Sequence, residues 1–380
     1  MTSSERKEAR YQRRKAARVE RKVARCSCLD DFDQVFSYKN LYHSYKMCRR
    51  NVGWKASVQK YITNAPLNVY QAFERLQKGK YKPGSFYEFD VYEFDVYERG
   101  KKRHIKSVTI GERVIQRCLC DNALVPVLGR TFIHDNGACM VNKGYSFTIN
   151  RLCLHLRQHY RKYGTEGYIL LFDFRKFYER VSHKVIKAIL NREFSDERLI
   201  RVTESLIDTF GDTGLGLGSQ ISQILALASA NRLDHYIKEV CRIKGYSRYN
   251  DDGYLLHPSK EYLQRCLEGI KKLCAELEIT LNEKKTQIVK LSHGFTFLKV
   301  RFFLLDSGRI VRKLCRRSVT KMRQKLKSLR QKVDDHKMSF NDVYQSMQSW
   351  RAYALNFNAY RTIQSMEALF NYLFVFVPAW

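Results

Sequence analysis

Apolar positions recur at a spacing of three to four residues over most of this chain, broken by a few short runs that read as strands. Residues 40–80 have helical spacing, and "NVYQAFERLQKGKY" places Val69, Phe73 and Leu76 on one stripe. Residues 111–130 and 148–162 read as further helices. The continuous run "GYILLFDF" at 167–174 is short enough for a buried strand. An amphipathic helix follows in "SHKVIKAILNREF", with Ser182 as its N-cap. Beyond it the pattern predicts a helix over 219–240 and a strand–turn–strand around 251. It then predicts a helix over 259–277, a strand over 286–290 and a hairpin over 295–312. From 318 the chain reads as all helix, with Met322, Leu326, Leu329 and Val333 on one stripe and Lys321, Lys325 and Lys332 off it.

Two segments depart from this pattern. Residues 5–25 carry ten basic and three acidic residues with almost no apolar stripe, which suits a solvated helix or an arm that orders on nucleic acid. The pentamer YEFDV occurs twice, at 87–91 and 92–96. An odd-length duplication swaps strand faces, so a bulge or turn is expected near Tyr92. The duplication has no functional reading.

Charge narrows the partner. The 380 residues include 69 basic against 38 acidic, a net charge of +31, which implies a polyanion. No apolar run reaches the roughly 18 residues of a membrane span, and no apolar signal segment opens the chain, so nucleic acid is preferred over a membrane. Eleven mostly scattered cysteines suggest reduced thiols in a cytosol and no structural zinc.

The candidate chemistry lies in "SRYNDDGYLLHP", residues 247–258. Asn-Asp-Asp-Gly is good turn chemistry, with Gly supplying positive φ, and a plain hairpin is the simpler reading of Asp251 and Asp252 alone. The alternative is a divalent-cation site, because Mg²⁺ takes hard oxygen ligands. Asp173, at the end of an apolar strand, completes a set of three carboxylates. A two-metal phosphoryl-transfer site needs such a set, one ion acting on the attacking 3′-hydroxyl and the other on the triphosphate.

Here the chain resembles the reverse transcriptases. "FDFRKFYERVSH" resembles their first palm motif, "LGLGSQISQ" (215–223) the middle motif, and "YNDD" the Tyr-x-Asp-Asp motif. "KKRHIKSVTIGERVIQRCL" resembles the fingers segment, "LNEKKTQI" the palm lysine motif and "FTFLKVRFF" the primer-grip hairpin. The resemblance spans roughly 65–310. It implies an α+β right-hand polymerase: a basic arm over 1–30, fingers with the start of the palm over 31–165, a palm of antiparallel sheet packed on helices over 166–310, and a helical thumb over 311–380. The primer grip lies near 295–310. No ribonuclease H or endonuclease segment is expected after 310.

The resemblance also assigns roles. Asp173, Asp251 and Asp252, with the Phe174 backbone carbonyl, would hold two Mg²⁺ ions, Mn²⁺ being a substitute. Lys101, Arg103, Tyr178, Leu217, Gly218, Ser222, Gln223 and Lys285 would meet the nucleotide. Within that set Tyr178 acts as a steric gate or only packs, Arg103 and Lys101 neutralise the triphosphate or are surface charge, and Lys285 serves the pyrophosphate or is solvated. Ser222 and Gln223 approach the template or only cap a helix. Phe297, Leu298 and Lys299 form the primer grip. Two departures from the family matter: Leu217 with the Ser222-Gln223 ending stands where Gln and Ser-Pro are usual, and Lys299 where Gly is usual. The first resembles diversity-generating retroelement enzymes of bacteria or phages, which copy RNA with errors and work with a small basic accessory protein. An antiphage polymerase making templated or repetitive cDNA is the alternative. Implied partners are template RNA, primer, cDNA and deoxynucleotides, with a structured non-coding RNA as a further candidate, in the bacterial cytosol and without a membrane.

Overall fold

The apolar run at 167–174 forms a strand buried on both faces, and the surrounding elements pack onto it. The computed structural model describes residues 29–84, 86–92, 102–216 and 218–375, with isolated positions 9, 12 and 13; over 86–92 and 102–107 it describes backbone only. Helices α1 (Phe32–Val35), α2 (Tyr38–Cys48), α3 (Ala56–Thr63) and α4 (Ala65–Gln77) lead to a ribbon of β1 (Phe86–Tyr92) and β2 (Lys102–Val108). Helix α5 (Ile110–Leu119) runs through a π-helical turn into α6 (Val125–Gly129), and α7 (Tyr145–Tyr163) follows. Strand β3 (Tyr168–Asp173) precedes α8 (His183–Glu193), α9 (Glu197–Asp208), α10 (Gln220–Ser229) and α11 (Asn231–His235). Then come β4 (Gly245–Tyr249), β5 (Asp252–His257), α12 (Lys260–Glu276) and β6 (Gln287–Lys290). Strands β7 (Phe295–Phe297), β8 (Val300–Leu304) and β9 (Ile310–Leu314) lead to α13 (Arg316–Asp334), α14 (Phe340–Ala354) and α15 (Tyr360–Phe374).

The central sheet has the order β4–β5–β3–β6 and is antiparallel throughout. Leu170 and Phe172 of β3 face one core, shared with α5, α8, α10 and α12; Ile169 and Leu171 face a second, shared with α7 and β7–β9. A strand covered on both sides needs no polar alternation, which is why β3 reads as a continuous apolar run. A third core joins α13, α14 and α15 through Met322, Leu326, Leu329, Met347, Trp350 and Met366. Helices packed on antiparallel sheets make this an α+β fold.

Several expectations need adjusting. The helix expected over 219–240 is broken at Ala230 (φ −95°, ψ 2°), so that α11 turns away from α10. The single hairpin expected over 295–312 is a three-stranded meander, β7–β8–β9. Helix α9 was not foreseen, although Asp196 caps it by accepting from the Arg198 and Leu199 amides. Ser182 does cap α8, accepting from the Val185 amide. The first YEFDV copy lies in β1, which ends at Tyr92. Most of the second copy and nearly all of the basic arm lie outside the described residues.

A buried polar cluster locks α7 to the central hairpin. Asp135 receives Arg151 at 2.5 Å and Lys238 at 2.7 Å, and His155 Nδ1 lies 2.8 Å from the Tyr254 hydroxyl. Burial pushes the His155 pKa down to about 4 against about 6.5 for a free histidine. The folded value lies below the unfolded one, so the neutral ring's contribution is complete above about pH 6.5 and is lost as pH falls towards 4. The stability penalty of His155→Gln, read by chemical denaturation, is expected to shrink by up to about 3 kcal/mol between pH 7 and 4. A penalty independent of pH would show that His155 is not held neutral.

Candidate active site

Register brings two of the three carboxylates face to face. Asp173, the last residue of β3, pairs with Asp252, the first of β5, while Tyr249 of β4 pairs with Asp252 from the other side. Asn250 and Asp251 are the two residues that join β4 to β5. The Asp251 carbonyl accepts from the Phe174 amide at 3.1 Å, which ties the turn to the end of β3.

Each part of this tip has a local cause. Asn250 sits at φ 53°, in the left-handed region that asparagine tolerates. The turn chemistry of Asn-Asp-Asp-Gly predicts the positive φ at Gly253. Instead Gly253 lies within β5, and a β-carbon there would be driven into the Phe172 ring. Its role is close approach rather than turn geometry.

Arg248, which is not among the expected site residues, is fully buried. Its Nε and Nη2 donate to the Asp234 carboxylate at 2.8 and 2.6 Å, and its Nη1 donates to the Asn250 carbonyl at 2.7 Å. Tyr246 also donates to Asp234. The break at Ala230 gives α11 its own direction, and α11 carries Asp234. The available signal was an arginine inside a strand otherwise buried at Tyr246 and Ser247. A charge in such a place requires a partner.

The three carboxylates are crowded. Burial raises the pKa of Asp252 to about 7, and the charges of Asp251 and Asp173 add to the rise. Asp173 is held by cationic and amide donors: Lys285 Nζ reaches one oxygen at 2.6 Å and Asn282 Nδ2 the other at 2.8 Å. Burial lowers the Lys285 pKa, but the hydrogen bond to Asp173 and the three carboxylate charges outweigh it and the net shift is upward. The donor set fits a divalent cation in its chemistry, being all carboxylate oxygen with a lysine already drawn in by the charge. Among the described residues no group of three or more His, Cys, Asp or Glu forms a finished cage. Mg²⁺ commonly binds through one or two carboxylates plus substrate phosphates, so a finished cage is not required.

The other expected residues fall into three sets. Near the turn, Tyr178 begins a short 3₁₀ turn, and its hydroxyl pKa is raised by burial and by the charges of Cys139 and Asp251. Gly218, at φ 105°, and Gln223 line a cavity of about 350 Å³ with Arg117 and Cys139. The Cys139 thiol lies 3.7 Å from Asn250 Oδ1. Ser222 is different: its hydroxyl is buried in α10 without a hydrogen-bond partner among the described residues. Farther away, Phe297 is buried and stacks edge-on against Tyr254 at 5.1 Å. Leu298 and Lys299 form the two-residue β7–β8 turn, at φ 46° and 66°. A left-handed position at Lys299 accounts physically for glycine being usual there. Lys101 and Leu217 lie outside the described residues. Arg103 lies on β2 opposite Val91, and only its backbone is described.

The profile described as "Reverse transcriptase (RNA-dependent DNA polymerase)" matches residues 96–302. Two solved structures are similar. The apo telomerase of Candida tropicalis, truncated from the C-terminal domain, is 16% identical over 65% of this chain and 60% of its own, with a TM-score of 0.41. The telomerase of Candida albicans in complex with the TWJ fragment of telomeric RNA is 12% identical over 82% and 59%, with a TM-score of 0.44. This chain therefore spans about three fifths of those chains. None of the curated proteins matches it.

Truncating Arg248 would leave Asp234 buried without its cation, which typically costs roughly 3–5 kcal/mol. Arg248→Met is expected to lose stability on that scale by urea unfolding. The double variant Arg248→Met/Asp234→Leu should recover most of it. If Arg248 positions the turn, primer extension will stay low in the recovered double variant; full activity there would show that the arginine serves stability alone.

Proposed function

This chain belongs to the reverse transcriptase family, and on that premise we propose that it makes DNA on an RNA template at Asp173, Asp251 and Asp252. The observation that carries the reading is the facing of Asp173 and Asp252 across β3 and β5, with Asp251 on the adjoining turn. In the reaction the primer 3′-oxygen attacks the α-phosphorus of a deoxynucleoside triphosphate. The new P–O ester forms, the bond to the β-phosphate oxygen breaks, and pyrophosphate leaves. Two divalent ions, when bound, would ease deprotonation of the 3′-hydroxyl and offset the charge on the leaving oxygen.

The protein's own residues do the holding and positioning. The three carboxylates supply the oxygen ligands, with the Phe174 carbonyl next to Asp173. Lys285, whose Nζ lies 2.6 Å from Asp173, would turn its charge to the pyrophosphate. Tyr178 would exclude a ribose 2′-hydroxyl. Gly218 and Gln223 would face the base pair, and Lys101 and Arg103 the triphosphate. The product's template, primer and triphosphate are all polyanions, as the net charge of +31 suits.

The biological setting we propose is a diversity-generating retroelement, in the bacterial cytosol with a small basic accessory protein. It rests on Leu217 and on the Ser222-Gln223 ending.

Asp251→Asn is expected to lower primer extension on an RNA template by roughly 10³-fold or more, since a lost ligand removes several kcal/mol of transition-state stabilisation. Activity within a few-fold of wild type would contradict the assignment. Leu217→Gln restores a polar side chain beside the base pair, and losing or gaining one such contact shifts discrimination by roughly 1–3 kcal/mol. Sequencing of cDNA should then show about tenfold to a hundredfold fewer errors in the variant. An unchanged error spectrum would favour the antiphage reading.

A further inference from the structure

Between Asp33 and Glu74 the chain has no acidic residue and six basic ones, Lys39, Lys46, Arg49, Arg50, Lys55 and Lys60. All six are exposed, and none forms an ion pair with a described carboxylate. This stands apart from the palm, where basic groups such as Lys238, Arg248 and Lys285 are paired with aspartates. Among the described residues, the side-chain partners of three of these cations are aromatic faces. Lys46 lies 5.0 Å from the Tyr42 ring centre, Arg49 lies 5.7 Å from Tyr45 and Lys55 lies 5.5 Å from Trp54.

The aromatics are themselves unusual. Tyr38 and Tyr42, four residues apart on α2, stack at 5.9 Å with 20° between their planes. Tyr38 is 38% exposed and Trp54, just beyond the helix, is 78% exposed. Tyr38, Tyr42 and Lys46 follow the i, i+4, i+8 stripe of one helix face. The exposed Trp54 indole, held by a hydrogen bond from its Nε1 to the Asn51 carbonyl and lying in the same anion-free stretch of chain as the stacked tyrosine pair, has no role in the cores described above.

We propose that this face of α2 and the Trp54 turn is a stacking platform for single-stranded RNA, separate from the carboxylate site. Single strands expose base faces that stack on aromatic rings in a sequence-tolerant way, while unpaired cations track the phosphates. A duplex hides its base faces inside its own stack, so it gains from the cations but not from the rings. A protein partner would have to bring acidic residues to six cations at once and cover the indole as well; a second copy of this chain, at +31, brings the wrong sign. The choice of RNA over DNA rests on the proposed reaction, in which RNA is the strand that arrives single; the surface itself rests on no such reading.

The test is equilibrium binding with the full chain, without divalent metal or nucleotide, so that failure of polymerisation does not enter. A fluorescently labelled single-stranded RNA of mixed sequence is titrated at fixed salt, alongside a blunt RNA duplex and a DNA strand of the same sequence. The pair Tyr38→Ala/Trp54→Ala is expected to weaken single-strand RNA binding by about tenfold or more and to change duplex binding little. As a second variant, Lys46→Glu/Arg49→Glu should weaken both and flatten the salt dependence. Circular dichroism checks that both variants fold. Single-strand RNA affinity unchanged in the aromatic variant would overturn the proposal. So would a DNA strand bound more tightly than RNA through the same residues, or concentration-dependent self-association that the variant abolishes.

Discussion

Three carboxylates held within the tip of one sheet repel one another, and much of the surrounding structure exists to keep them there. Burial raises the Asp252 pKa to about 7, and the charges of Asp251 and Asp173 push it the same way. What holds the tip is cationic on both sides. Lys285 and Asn282 grip Asp173 from the segment before β6, and Arg248 grips the Asn250 carbonyl from within β4. Arg248 is itself fixed by Asp234, so the hairpin that carries Asp251 and Asp252 is anchored through a buried ion pair to α11. Such a pair contributes little net stability when it replaces an apolar contact, yet it is costly to break on one side only. It therefore suits a device that fixes a position rather than one that adds stability.

Much of this was legible in the sequence because the relevant signals are local. The apolar run of β3, the turn chemistry of Asn250 and the order of the motifs each depend on a few neighbouring residues, and they located Asp173, Asp251 and Asp252. Signals that depend on distant partners were not legible. Nothing within a window of residues pairs Arg248 with Asp234, fourteen positions apart and on different elements. Gly253 read as a turn residue because its real constraint, the Phe172 ring, lies on another strand. The helix over 219–240 read as continuous because no Gly or Pro marks Ala230, and the break serves tertiary packing. The meander of β7–β9 was read one strand short because its second turn, Asp306–Gly308, is as strong a signal as its first is weak: Leu298 and Lys299 are poor residues for left-handed positions. Among the residues expected to meet the nucleotide, Gly218 and Gln223 line one cavity, whereas Ser222 turns inward on the same helix. A one-residue step along a helix rotates a side chain by about 100°, and motif matching does not carry that rotation.

Charge is distributed in two different ways. In the central sheet basic and acidic groups are paired, and the pairs set geometry. On the α2 face the cations pair with no described carboxylate and are exposed to an incoming polyanion. This division separates a site that must hold a few atoms in place from a surface that needs only to attract and stack.

The account stands on templated synthesis, and single-nucleotide incorporation measures that directly. A DNA primer annealed to an RNA template of known sequence is supplied with Mg²⁺ and one deoxynucleotide at a time. The account predicts that the complementary nucleotide extends the primer far faster than the other three at each template base. Extension that ignores the template base, or that proceeds equally well without template, would contradict it.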